Sequence, residues 1–171
     1  MHPSRSFATP SRGAALRVER VTQLPDGFAE LAADAQGDGQ RMLEVLRQDW
    51  DAAALQRLRF DQPGEALLAA HLGGALVGLC GLTRDPYLRG VAAGRVRRLY
   101  VRRASRGIGA GAGLVAAVAA EAAAFGYARL RVRSPPSAFR FYEGCGFLRL
   151  VGQTAATHAR PLSREWPAGT P

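Results

Sequence analysis

The stretch Tyr100–Phe125, YVRRASRGIGAGAGLVAAVAAEAAAF, constrains the fold more than any other part of the chain. An apolar strand end, Leu99-Tyr100-Val101, runs into a basic, glycine-dense turn, and the turn opens a long alanine-rich helix. Arg106, Gly109 and Gly111 stand in an R-x-x-G-x-G spacing. Glycine lets a turn adopt positive φ and bring its backbone close to a ligand. The first amides of a helix lack intrahelical partners, and the helix dipole adds partial positive charge there. The junction therefore predicts a phosphate cradle, with Arg106 contributing a full charge.

At 171 residues, 47% hydrophobic and 22% charged, the chain has the size and composition of one globular domain with a real core. No stretch combines the length and the freedom from charge that a membrane span needs, which argues for a cytoplasmic protein without a membrane partner. The net charge of +9 is carried by arginine and favours anionic partners. Nucleic acid is disfavoured because the arginines gather neither with exposed aromatics nor in a helix-turn-helix pattern. Cys80 and Cys145 are too few for a disulfide framework or a zinc site and read as reduced thiols, so no metal is expected. Residues 1–13 read as a disordered leader, 14–162 as one domain and 163–171 as a loose tail.

Along the chain, Leu16–Val21 alternates as a half-buried strand. Asp26 is placed to cap a short helix presenting Phe28, Leu31 and Ala32, and Leu43, Leu46, Trp50, Ala53 and Ala54 follow at helical spacing. Ala66–Leu72 and Ala75–Leu82 form a hairpin on Gly73-Gly74. Val96–Val101 leads into the glycine turn, and the helix runs to Phe125, with Leu114, Val118 and Phe125 on one side and Gly126 as its stop. It is apolar nearly all round, which suggests burial between the sheet and other elements. Ala128–Val132 is a parallel return strand, Ala138–Glu143 a short helix, and Phe147–Val151 and Thr157–Leu162 the closing strands. Arg129, Arg131 and Arg133 alternate as a solvated face that could also attract phosphates. The predicted order is βααβββαβαββ.

Three readings of the turn compete. An exposed flexible loop would rarely open a helix so abruptly. A nucleotide P-loop needs Lys-Ser or Lys-Thr where Gly113-Leu114 stands. Gly107-Ile108-Gly109-Ala110-Gly111-Ala112 satisfies a dinucleotide fingerprint, but that belongs on the first strand of a doubly wound sheet with an acid about 20 residues on. Arg131 or Arg133 stands near that place, which keeps an NADP-binding alternative open.

LYVRRASRGIGAGAGLV, then FGYARLRV, then AFRFYEGCGF strongly resembles the GNAT superfamily of N-acetyltransferases. The likeness covers roughly Phe60–Leu162 and includes the GEALLAA…GGALVGLCGL hairpin. It implies an α/β fold: a mixed, mostly antiparallel twisted sheet of six to seven strands, flanking helices, and a splayed pair formed by Val96–Val101 and Ala128–Val132. It further implies acetyl-CoA as the acetyl donor and an amine acceptor, with direct transfer and no covalent enzyme intermediate. Leu99, Tyr100 and Val101 would then meet the pantetheine and acetyl carbonyl, and Arg106, Gly107, Ile108, Gly109, Ala110, Gly111 and Ala112 the pyrophosphate. Ala138 and Phe141 would flank the cofactor, and Tyr142 would donate to the departing thiolate, while Glu143 holds its helix or faces solvent. Relatives often place a glutamate near the start of the strand before the turn, where this chain has Arg95, Arg97 and Arg98. Glu65, His71, Asp85 and His158 are the remaining candidates for a general base, with a water chain as the alternative. Pro135 stands where relatives often have a cofactor-bonding asparagine. The acceptor pocket is expected from Trp50–Asp61, the Asp85–Gly94 loop and the last strands. The rival readings are a non-catalytic acyl-CoA-binding or nucleic-acid-binding module of the same fold, and a homodimer is left open.

Overall fold

The computed structural model describes residues 15–51 and 59–163. The expected leader, the tail beyond Ser163, and residues 52–58 of the expected acceptor region lie outside these. Seven strands form one sheet: β1 (Leu16–Val21), β2 (Ala66–Leu72), β3 (Ala75–Arg84), β4 (Ala93–Val101), β5 (Arg129–Val132), β6 (Leu148–Arg149) and β7 (His158–Pro161). The helices are α1 (Phe28–Gly37), α2 (Met42–Asp51), α3 (Ala110–Phe125) and α4 (Phe139–Gly144), with short 3-10 turns at Arg103–Ser105 and Pro136–Ala138. The order across the sheet is β1-β2-β3-β4-β5-β7-β6, and only β4 and β5 run parallel. The fold is thus the mixed, mostly antiparallel α/β sheet that the sequence predicts, element for element.

Local chemistry explains most boundaries. Gly73 and Gly74 both take positive φ, 57° and 83°, the two-residue turn whose twist suits a hairpin. Gly126 ends α3 at φ 99°, and its amide bonds back to Ala123 O. At α1 the expected Asp26 cap is not used. Gly27 occupies that place at φ 84°, with no side-chain cap.

Each face of the sheet carries its own core. Leu114, Val115, Val118 and Ala122 of α3 pack with Leu68, Cys80, Val96 and Leu130 on one face. Leu31 of α1 and Leu43 and Leu46 of α2 pack with Leu67, Leu79 and Tyr100 on the other. The outer side of α3 is open, contrary to expectation: Ala112, Ala116, Ala120, Ala123 and Ala124 face solvent, and Phe125 is 45% exposed. Alanine is the strongest helix former and needs no burial to fill that role, so an all-apolar helix can still sit at the surface. Among the described residues no helix is long and apolar enough to cross a membrane.

The arginines of β5 divide between surface and interior. Arg131 is 2% exposed and Arg95 on β4 is 5% exposed, so this face is not the solvated one its alternation suggests. Both donate to Asp85 Oδ2, from Arg131 Nη1 at 3.1 Å and Arg95 Nη1 at 3.4 Å. Asp85 Oδ1 accepts the Tyr87 amide. The far ends of the guanidiniums reach Gln153 Oε1 and Ala155 O, tying the loop before β7 to the sheet.

Three phenols are held neutral by this packing. Burial, and then the Asp34 carboxylate that accepts its hydroxyl, push Tyr100 up to about 12. Burial also raises Tyr127 and Tyr142. In the unfolded chain phenols ionise near pH 10. Stability is therefore intact below about pH 10 and falls from there up to about 12 and beyond, because only the unfolded state can release these protons. Urea melts between pH 8 and 11 check this; a flat profile above pH 10 would contradict it.

Candidate active site

β4 and β5 pair only from Ala93↔Arg129 to Arg95↔Arg131 and then part. Beyond that point β5 keeps its bonds to β7, with Val132 opposite His158. β4 keeps its bonds to β3 but carries one extra residue: Gly81 faces Arg97 and Leu79 faces Tyr100, so Arg98 and Leu99 both stand against Cys80. Arg98 takes φ 54°, the left-handed conformation typical of such an irregularity and uncommon for a non-glycine residue. Its guanidinium lies 3.7 Å from Asp49 of α2.

A cleft of about 720 Å³ opens where the strands separate. One wall is β4 from Val96 to Val101, the other runs from Val132 to Ala138 and on to Phe141 and Tyr142, and the far end is the turn into α3. Eleven of the twelve residues expected at the cofactor lie along it: Leu99, Tyr100, Val101, Arg106, Gly107, Gly109, Ala110, Gly111, Ala112, Ala138 and Phe141. Ile108 does not; its side chain points outward and is 45% exposed. The Tyr100 hydroxyl turns to Asp34 Oδ2 at 2.8 Å.

The glycines of the turn differ in what requires them. Gly107 and Gly109 take φ 81° and 90°, with open space where a Cβ would stand. Gly111 is a packing glycine, because a Cβ there would come 3.1 Å from Phe141 Cε2. The first intrahelical bond from this end is Gly113 N to Gly109 O, so the amides of Ala110, Gly111 and Ala112 remain available. Arg106 does not stand as a free charge. Its guanidinium bonds Asp38, which holds it protonated more firmly than usual, while Nε donates to Val101 O at 3.1 Å. It clasps the turn to the end of β4 and to the α1–α2 connection.

Tyr142 is 5% exposed and packs edge-on against Phe141 and Phe147. Its hydroxyl bonds no group among the described residues. Burial keeps it protonated well above the ordinary phenol range. None of the four base candidates lines the cleft. Asp85 is locked between arginines, His158 is wholly buried behind α4 with Nε2 3.8 Å from Glu143, His71 lies by Glu19 on β2, and Glu65 borders a separate depression. Asp38 is the carboxylate on the cleft wall, and it is tied to Arg106. Pro135 lines the cleft and offers no donor. Sequence reasoning missed Asp38 and Met42 on the walls; nothing local marks them, since the fold alone brings the α1–α2 region to this place. Arg97, Arg98 and Arg133, noted in the sequence for other reasons, also line it.

A family model for the acetyltransferase (GNAT) domain matches residues 31–160. The chain belongs to the GNAT acetyltransferases. Among solved structures, a candidate acetyltransferase from Exiguobacterium sp. 255-15 is 27% identical, covering 86% of this chain and 93% of that one, with a TM-score of 0.71. The GNAT family N-acetyltransferase YhbS from Escherichia coli, solved with CoA, shares the fold at 19% identity, covering 92% and 86%, with a TM-score of 0.59. N-acetylglutamate synthase from Neisseria gonorrhoeae, solved with coenzyme A and N-acetyl-glutamate, shares it at 16% identity over 86% of this chain and 36% of that one, with a TM-score of 0.57. Curated protein sequences give no match. The strands β4 and β5 part in this chain, and a glycine turn opens α3 beside the gap.

Proposed function

We propose that this GNAT protein transfers the acetyl group of acetyl-CoA to a primary amine by direct attack. The observation that carries the reading is the cleft itself, apolar along Leu99, Val101 and Phe141 and ending on unpartnered amides at the start of α3. Such a site suits a long apolar arm that terminates in phosphates. The open space at Gly107 and Gly109 leaves room for the phosphates to approach the backbone.

The amine nitrogen bonds to the thioester carbonyl carbon, the carbon–sulfur bond breaks, and the CoA thiol leaves with one proton while the amine gives one up. The chain's own part is to hold the thioester beside β4, where Arg98 and Leu99 line the cleft, and to present the Tyr142 hydroxyl. A phenol held so firmly neutral serves as a hydrogen-bond donor to the sulfur across the working pH range. Tyr142→Phe should lower kcat about 100-fold with acetyl-CoA binding intact; an unchanged kcat would remove the residue from the mechanism. With no free carboxylate or imidazole on the described walls, the amine's proton passes to water. Accordingly kcat/KM should climb with pH toward the acceptor's own pKa, whereas a plateau near pH 6–7 would reveal a protein base.

The deciding experiment is release of free CoA thiol from acetyl-CoA in the presence of amines, beside calorimetric titration with acetyl-CoA and with NADPH. Amine-dependent release establishes the transferase. Binding of NADPH alone would replace this reading with the dinucleotide one.

A further inference from the structure

The cleft holds more positive charge than its cofactor end uses. Arg97 lies on the β4 wall next to the extra residue and is half-buried. Its Nε donates to Thr83 Oγ1 at 3.3 Å, and no carboxylate among the described residues lies within ion-pair distance of it. The other guanidiniums nearby are engaged. Arg98 lies by Asp49, Arg106 is bonded to Asp38, and Arg95 and Arg131 share Asp85. That last group places two buried cations on one buried carboxylate, leaving a net positive charge beneath Arg97. Burial and the charge of Arg95 both press Arg97 toward losing its own proton. Arg133, exposed on the opposite wall, likewise meets no carboxylate among the described residues. Asp85 and Glu65 lie within electrostatic reach of Arg97 but pair with it in no salt bridge. A half-buried cation without an ion-pair partner is costly to the fold unless something anionic comes to it.

We propose that the acceptor amine carries an anionic oxygen group, a carboxylate or a phosphate, and that Arg97 binds that group from the wall of β4. The inference rests on the acetyl-transfer reading and names its substrate class. The planar fork of arginine suits either oxyanion through paired charge-assisted hydrogen bonds. The Thr83 contact fixes the stem and leaves the two terminal nitrogens for the ligand. Arg97 stands on the far side of the extra residue from the α3 turn, so the acceptor's anion and the cofactor's phosphates occupy opposite ends of one cleft. A polyamine meets the same field as repulsion.

The test uses the full chain and matched acceptors. α-Amino acids, 4-aminobutyrate and phosphoethanolamine are each assayed beside the amine that lacks the carboxylate or phosphate, with spermidine as the cationic extreme. Expected is a kcat/KM at least tenfold higher for the anionic member of a pair. Comparing the carboxylate and phosphate arms shows which oxyanion the site takes. In Arg97→Gln the preference should collapse toward unity through acceptor KM rather than through acetyl-CoA affinity, with partial recovery in Arg97→Lys, which keeps the charge but not the fork. The variant removes a half-buried charge that has no ion-pair partner, so its melting temperature should not fall, and that checks its folding. Acetyl-CoA binding with neutral or cationic amines preferred, or with no anionic amine accepted, overturns the inference and leaves the cofactor site standing. Loss of acetyl-CoA affinity in Arg97→Gln equal to the loss for acceptor assigns Arg97 to the cofactor and also overturns it. Absence of acetyl-CoA binding to the wild type would instead sink the transferase reading beneath it.

Discussion

Asp85→Ala should destabilise the protein by about 3–5 kcal/mol, the usual cost of stranding a buried charge. The carboxylate has no exposed surface and accepts from two guanidiniums that are themselves 3% and 5% exposed. Removing it leaves Arg95 and Arg131 facing each other in the interior with no counter-ion. It also frees the Tyr87 amide and loosens the anchorage of the loop at Gln153 and Ala155. For a domain of this size the loss corresponds to a fall in melting temperature of about 10 °C, measurable by calorimetry. Asp85→Asn keeps an acceptor for the Tyr87 amide but removes the charge, and should fall between the wild type and alanine. If alanine melts within about 1 °C of wild type, the two arginines find water or another partner, and the cluster contributes no stability.

Gly109→Asp should weaken acetyl-CoA binding by at least 100-fold in a calorimetric titration. Two effects act together. The residue sits at φ 90°, where a side chain costs on the order of 1–2 kcal/mol. The new carboxylate would also stand beside the free amides of Ala110 to Ala112 and compete with the phosphates for them. Gly109→Asn separates the two, because asparagine tolerates the left-handed region and carries no charge. Binding retained in the asparagine variant and lost in the aspartate variant would identify charge as the cause. Undiminished binding in both would mean that the turn does not hold the phosphates.

Legibility in the sequence followed the range of the interactions. Gly73-Gly74, the strand before the turn and the helix after it are specified by neighbours a few residues apart, and each appears within a residue or three of its expected place. The cap of α1 is equally local, yet Gly27 displaced Asp26 there, so a good capping residue does not settle which residue the chain uses. Arg131 could not be read as buried, because RLRV alternates like any half-exposed strand and its partner Asp85 lies 46 residues upstream. The glycine turn showed one end of the cleft, and the family pattern supplied most of the rest. Asp38 meets Arg106 across 68 residues, a closure that no motif announces.

The extra residue of β4 also changes the strand's phase. Before it, Val96 faces α3; after it, the residues on that side are Leu99 and Val101, and Tyr100 faces α1. An unbroken strand would have turned Arg98 and Tyr100 toward α3 and left Leu99 and Val101 pointing the wrong way. The spare position therefore acts as a spacer whose count matters more than its chemistry. Glycine at position 98 would suit the φ angle and keep both halves in step. Inserting one further residue beside it, with the same irregularity retained, would turn one half of the strand inside out, with Val96 and Val101 claiming opposite sides of the sheet.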